Sequence, residues 1–216
     1  KWSDFYHYYG MKHSSQIHVG LGWAFSELDL IFSDFELVIE PLLQYRVIDG
    51  YGYYEGVFKK RKSIRMQESP QHFNQLNLRA YNQGLGRSLW YTAQGKVAKL
   101  IQLISRFPEN RRHDLWRGIG IAVAYVGGIE ISVLQKLVNE SNRYLSSFKC
   151  GVSLLVQSRH KAETIVNDTN IICDFLFGLS CATINDQLID IEKETGSTSE
   201  LLYFDWLKNI ELNFSA

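Results

Sequence analysis

Proline is nearly missing from this chain: three residues in 216, at Pro41, Pro70 and Pro108. So few helix breakers favour long helices over a loop-rich fold. Cysteine is scarce and odd in number. Cys150, Cys173 and Cys181 form no C-x-x-C pair, which excludes a disulfide framework and points to a reducing, cytoplasmic setting. No sign of charge dominates. Lys+Arg and Asp+Glu balance at 23 each, so no global field favours nucleic acid or an anionic membrane. The one basic run, Lys59-Lys60-Arg61-Lys62 with Arg65, lacks interleaved aromatics and reads as a solvated loop. No nucleic-acid partner is expected. Long apolar runs are lacking too: the uncharged stretch Gly118–Ile129 falls short of the roughly 20 residues of a membrane span. A transmembrane span is therefore not expected, peripheral membrane association stays open, and no secretory leader is visible.

The usual signatures of chemistry are equally thin. There is no G-x-S-x-G elbow, and the cysteines have no adjacent base. His18 and His113 stand in no H-x-x-x-H or H-E-x-x-H spacing, so no metal is expected. Four Gly-x-Gly pairs, at Gly20, Gly50, Gly84 and Gly118, invite a dinucleotide reading. The fingerprint then needs Gly or Ala three residues on, where this chain has Phe25, Glu55, Leu89 and Val123. Nucleotide binding is set aside, and no motif specifies a cofactor.

What the chain has in plenty is aromatic residues and glycine. His18-Val19-Gly20-Leu21-Gly22-Trp23-Ala24 reappears 98 positions on as Trp116-Arg117-Gly118-Ile119-Gly120-Ile121-Ala122. Small residues also fall four apart at Gly20/Ala24, Gly52/Gly56, Gly84/Ser88, Gly118/Ala122 and Ala124/Gly128. On a helix that spacing makes a smooth stripe where another backbone approaches closely. Ser33–Glu36 and Ser197–Glu200 fit capping boxes, and Ser69-Pro70 fits an N-cap with proline at the first helical position. Helices are expected from 70 through Arg87, from Pro108 through Val126, and near 15–28, 40–58, 97–105, 130–145, 148–165, 170–186 and 199–211. Turns are expected at 59–69, 93–96, 106–109 and 192–198. Strands at Ile17–Val19 and Gly50–Phe58 compete. The expected fold is mainly α, a single helical domain over 1–216 with Gly-rich, closely packed helices and an internal duplication. A mixture of α and β is the alternative.

Glu55 is the leading catalytic candidate, because an apolar aromatic setting (Tyr51, Tyr53, Tyr54) suits a carboxylate to general acid or base work. Asp49 would orient it. A structural pairing of Glu55 with Arg79, Arg87 or Arg117 is the alternative. Arginines recur beside aromatics, so Arg87 and Arg117, with His18, Tyr53, Trp90 and Trp116, are read as substrate contacts. A guanidinium there clamps a polar end group, or else makes helix-to-helix ion pairs.

Taken in order, His18–Ala24, Asp49–Gly56, Asn82–Tyr91 and Phe107–Gly120 resemble the enediyne biosynthesis protein family of unknown function (UnbL-like). The likeness is close over about 5–130 and loose beyond. It implies an accessory protein of enediyne or polyene-type polyketide biosynthesis, and an upstream part of the first repeat not included here. Its partners would be an apolar small molecule and other biosynthetic proteins. An enzyme modifying a conjugated apolar intermediate is the first reading. The alternative is a non-catalytic protein that shields such an intermediate or docks a partner. A helical repeat module for protein binding is a third.

Overall fold

The computed structural model describes residues 2–31, 41–196 and 202–215. Among these the chain is mainly α and has no strand. The helices are α1 (Trp2–Phe5), α2 (Ser14–Glu27), α3 (Gln44–Phe58), α4 (Gln75–Ala93), α5 (Val97–Ile104) and α6 (Glu109–Val126), then α7 (Ile131–Ser141), α8 (Leu145–Lys161), α9 (Asn167–Phe177), α10 (Cys181–Thr195) and α11 (Leu202–Asn213). Both competing strands lie inside helices, α2 and α3. The capping boxes at Ser33 and Ser197 lie outside the described residues.

Three local expectations need correction. Helix α4 starts not at Ser69-Pro70 but at Asn74, whose side chain accepts from the Asn77 N–H at 2.8 Å. The turn expected at 59–69 contains a π-helical turn, Arg61–Arg65. The single helix expected at 170–186 is two, because Gly178 ends α9 in the left-handed region at φ +64°.

The Gly-x-Gly spacing organises the rest. Residues two apart on a helix point about 200° apart, so the two glycines of a pair face opposite neighbours. The first glycine meets the preceding helix and the second meets the following one. A methyl at Gly22 would strike the Val47 carbonyl, and one at Gly50 the Val19 carbonyl. The same reciprocity joins Gly52 to Tyr81 and Gly84 to Asp49, then Gly86 to Leu115 and Gly118 to Gln83, and finally Gly120 to Phe148 and Gly151 to Arg117. The facing glycine recurs 34 residues apart at Gly50, Gly84 and Gly118, and next at Gly151. The two motif copies are therefore alike only in part. Gly22 and Gly120 both rest on a carbonyl of the next helix, whereas a methyl at Gly20 would meet nothing within 4 Å. Gly128, expected in a helical stripe, lies beyond α6 at φ +62°.

Contacts between neighbours advance together along both helices. Asp49 pairs with Arg87 and Tyr53 with Tyr91; Arg79 pairs with Asp114 and Gln83 with Gly118; Arg117 meets Gly151 and Tyr125 meets Arg159. Successive long helices α2, α3, α4, α6 and α8 thus run parallel, joined by returning segments that include α5 and α7. The row bends until its ends meet in the opposite sense, with Lys12 just before α2 bonded to Glu163 just after α8 at 2.8 Å. Helix α11 crosses the inside of the row. Tyr203 stacks on Tyr45 with centroids 5.4 Å apart, Gln83 donates to the Tyr203 hydroxyl at 3.1 Å, and Glu211 accepts from Arg117 at 2.9 Å.

The crossings yield a paired expectation. Gly84→Ala should lower stability by roughly 1–3 kcal/mol or more, because the methyl forces α3 and α4 apart. Gly20→Ala should raise it by up to about 1 kcal/mol through helix propensity alone. Denaturant unfolding of both variants measures this, and wild-type stability in Gly84→Ala would contradict the close approach.

Candidate functional site

A cavity of about 320 Å³ opens inside the bent row, and all five long helices contribute to its wall. From α2 come Ser15, Gln16, Val19, Gly20 and Trp23, and from α3 come Arg46 and Tyr53. Helix α4 adds Arg87 and Tyr91, α6 adds Ile121 and Tyr125, and α8 adds Leu154, Leu155 and Ser158. One flank is aromatic. Trp23 sits edge-on to Tyr53 at 5.2 Å, and Tyr53 stacks on Tyr91 at 5.8 Å. Burial, and then the neighbouring Tyr53, push the Tyr91 hydroxyl well above the ordinary phenol range, so it stays a neutral donor.

The polar edge is built from Arg46, Asp49 and Arg87. Asp49 is fully buried, and its Oδ2 accepts from Arg87 at 2.7 Å while Arg46 stands 3.9 Å away. Arg87 also lies over the Tyr53 ring, 4.6 Å from its centre. Two guanidinium groups thus share one carboxylate at a site where Arg46 is 4% exposed. The Asp49 Oδ1, Arg46 Nε, Gln16 Oε1 and Trp23 Nε1 atoms are buried and make no hydrogen bond within the protein. Buried polar groups are usually paired, and three of these atoms belong to residues that line the cavity, Asp49 standing behind them.

A second cavity of about 340 Å³ adjoins the first, with Ser15, Arg46 and Ser158 common to both walls. A third, shallow one runs along Trp90, Tyr91, Val123 and Val126.

The candidate residues therefore separate into groups. Arg87 and Tyr53 line the first cavity, with Asp49 bonded behind them, and Trp90 lines the shallow groove. Trp116 is core, edge-on to Phe148 at 6.1 Å. His18 is buried on another face of α2, where its Nδ1–H donates to the Ser14 carbonyl at 2.6 Å. Glu55 is fully buried but lines none of these cavities. Its Oε2 accepts from the Tyr81 hydroxyl at 2.9 Å, and Lys59 and Lys62 stand 3.6 and 3.8 Å from Oε1. Asp49 and Glu55 thus serve separate clusters. Burial first, then Glu55, raises the Tyr51 hydroxyl to about 12. Arg46 and Tyr125 escaped the sequence reading, since nothing local marks which face of a helix looks into a cavity. Among the described residues no group of His, Cys, Asp or Glu has the arrangement of a metal site, and no helix is long and apolar enough to cross a membrane.

Arg117 belongs to a buried ion cluster. It donates to Asp114 at 2.8 Å and to Glu211 at 2.9 Å, and His113 Nε2 stands 2.9 Å from Glu211. Burial alone would lower His113, but its bonds to the Asp114 and Glu211 carboxylates outweigh this and raise it above 6.5. Burial would raise Glu211 and Asp114, yet their bonds to His113 and the nearby Arg117 bring both below the usual carboxylate range. A raised His stabilises below its unfolded value and loses that contribution as pH climbs through the folded value. The lowered carboxylates contribute above their unfolded values and lose that as pH falls. The cluster is therefore strongest between about pH 4.5 and 6.5. Melting temperatures at pH 6 and 8 should show a fall that shrinks in His113→Asn; equal falls would mean that His113 does not titrate there.

The model of a protein family described as "Protein of unknown function (DUF1702)" matches residues 1–214, and the chain belongs to that family. Neither the comparison with curated proteins nor that with solved structures gave a match.

Proposed function

Taking membership of that family as the premise, we propose that the chain binds an elongated, conjugated apolar small molecule. It would act as a cytoplasmic accessory protein of enediyne or polyene-type polyketide biosynthesis, beside other biosynthetic proteins. One observation carries this reading: a single cavity walled by five helices, aromatic on one flank and edged by an Arg–Asp–Arg cluster. Ligand sites of this size are commonly apolar with a few fixed polar groups. The rings of Trp23, Tyr53, Tyr91 and Tyr125 offer flat faces to a conjugated chain. Arg46 and Arg87, which share Asp49, put fixed cations at the cavity edge for a polar end.

Binding is favoured over catalysis. Asp49 is the carboxylate at the cavity edge, and a carboxylate tied to two guanidinium groups positions them rather than moving protons. The enzymatic alternative assigns acid–base work to Glu55 and predicts that Glu55→Gln abolishes product formation in a producing strain. The binding reading predicts that the product persists.

A docking role has its own support. Phe58 and Met66 are 60% and 56% exposed and flank the run Lys59–Arg65. Exposed apolar residues beside lysines and arginines suit an anionic membrane surface. Co-sedimentation with phosphatidylglycerol vesicles, lost in Phe58→Ser/Met66→Ser, would support it; no sedimentation would remove it.

The main reading is checked with parinaric acid, a fluorescent conjugated fatty acid. Binding should quench Trp23 by energy transfer, and Val19→Trp, which fills the cavity, should weaken it by tenfold or more. Absence of binding would overturn the reading.

A further inference from the structure

The second cavity holds the features of an anion seat. Arg46 and Trp206 are the buried charged and aromatic residues of its lining, at 4% and 2% exposure. Arg46 Nε and Trp206 Nε1 are donors with no hydrogen-bond partner in the protein. An unpaired buried donor carries a desolvation penalty that an acceptor removes, and a charged acceptor removes it best. The formal charge agrees: Arg46, buried, and Arg87, partly buried, are two cations facing the one carboxylate of Asp49. The rim carries Lys12, His160 and Lys161, of which Lys12 is bonded to Glu163 at 2.8 Å. The one acid on it, Glu192, is exposed and accepts from Gln157 at 3.3 Å. The two cavities adjoin at Ser15, Arg46 and Ser158, which line both.

From this we propose that the two cavities are one site for an amphipathic chain. The conjugated tail occupies the first, and a terminal carboxylate sits in the second between Arg46 Nε–H and Trp206 Nε1–H. The proposal rests on the binding reading above and adds the head group and its seat. Arg46 stands at the junction, so the ligand's charge lies where the protein's own charge is uncompensated. The tail then points toward Trp23 and Tyr125.

The test compares parinaric acid with its primary alcohol, which keeps the tail and removes the charge. Wild type should bind the acid about tenfold or more tightly than the alcohol, as expected for hydrogen bonds to a charged acceptor. Trp206→Phe removes one donor and keeps an aromatic ring at the position, and a thermal melt of the variant checks that it folds. The substitution should shrink the preference for the acid several-fold, weakening the acid more than the alcohol. Arg46→Gln should bring the preference close to one. Equal affinity of wild type for acid and alcohol would overturn the head-group seat and leave the tail cavity standing. If neither probe binds, the tail reading fails, and thermal shift with hexanoate decides the seat alone. Stabilisation by hexanoate that is lost in Trp206→Phe keeps the seat; no stabilisation, or the same stabilisation in that variant, overturns it.

Discussion

Backbone-to-backbone contact at glycine is the constraint on which everything else in this molecule depends. Each crossing brings a glycine onto the carbonyl oxygen of a neighbouring helix, and the neighbour answers with a glycine of its own. Glycine in a helix interior costs about 1 kcal/mol against alanine, so a glycine at every crossing is tolerable only if the approach returns more. The return comes from dense dispersion contact and from Cα–H groups facing carbonyl oxygens. Side chains bend, whereas backbone does not. A crossing made of backbone therefore sets the register between helices to the residue. That is why Asp49 meets Arg87 and Tyr53 meets Tyr91 across α3 and α4 with no slack.

The same geometry explains the cavity. Glycines face both flanks of α3, α4 and α6 and one flank of α2, leaving a third face, where Trp23, Tyr53, Tyr91 and Tyr125 stand, to look inward. Parallel neighbours put corresponding faces side by side, so aromatics from four helices line one flank. Helix α11 fills the rest of the interior with Tyr203, Phe204 and Trp206 and is held there by the Arg117–Glu211 ion pair. The cavity is the part of the row that α11 leaves unfilled.

Buried charge divides along the same lines. The Arg117 cluster balances Asp114 and Glu211 against Arg117, with His113 and Arg79 at its edge, and reads as a clasp for α11. Glu55 is offset by Lys59 and Lys62, whose side chains are 34% and 47% exposed and reach solvent. Arg46, Asp49 and Arg87 stand together with one cation in excess; Arg46 lines both main cavities and Arg87 the first. A buried charge without a partner is costly, so of the three groups this one has the clearest use for a ligand.

By itself the sequence determined the class of fold and the materials. Sparse proline and recurring small residues pointed to long, closely approaching helices, and glycine leaves no other way to satisfy so many interior positions. Glu55 was legible as buried, because a carboxylate among tyrosines needs a partner, and Tyr81 is that partner. The spacing of four puts small residues on one helix face, yet the spacing of two sets the architecture, since it alone sends glycines to opposite neighbours. Only the tertiary structure decided that neighbours run parallel and that the row bends back on itself. It also decided that Arg46, unremarked among apolar residues at the start of α3, comes to border two cavities with Trp206, 160 positions along the chain. Periodicity reports which residues share a helix face. What that face meets is set by crossings between segments far apart in sequence, and no local pattern encodes it.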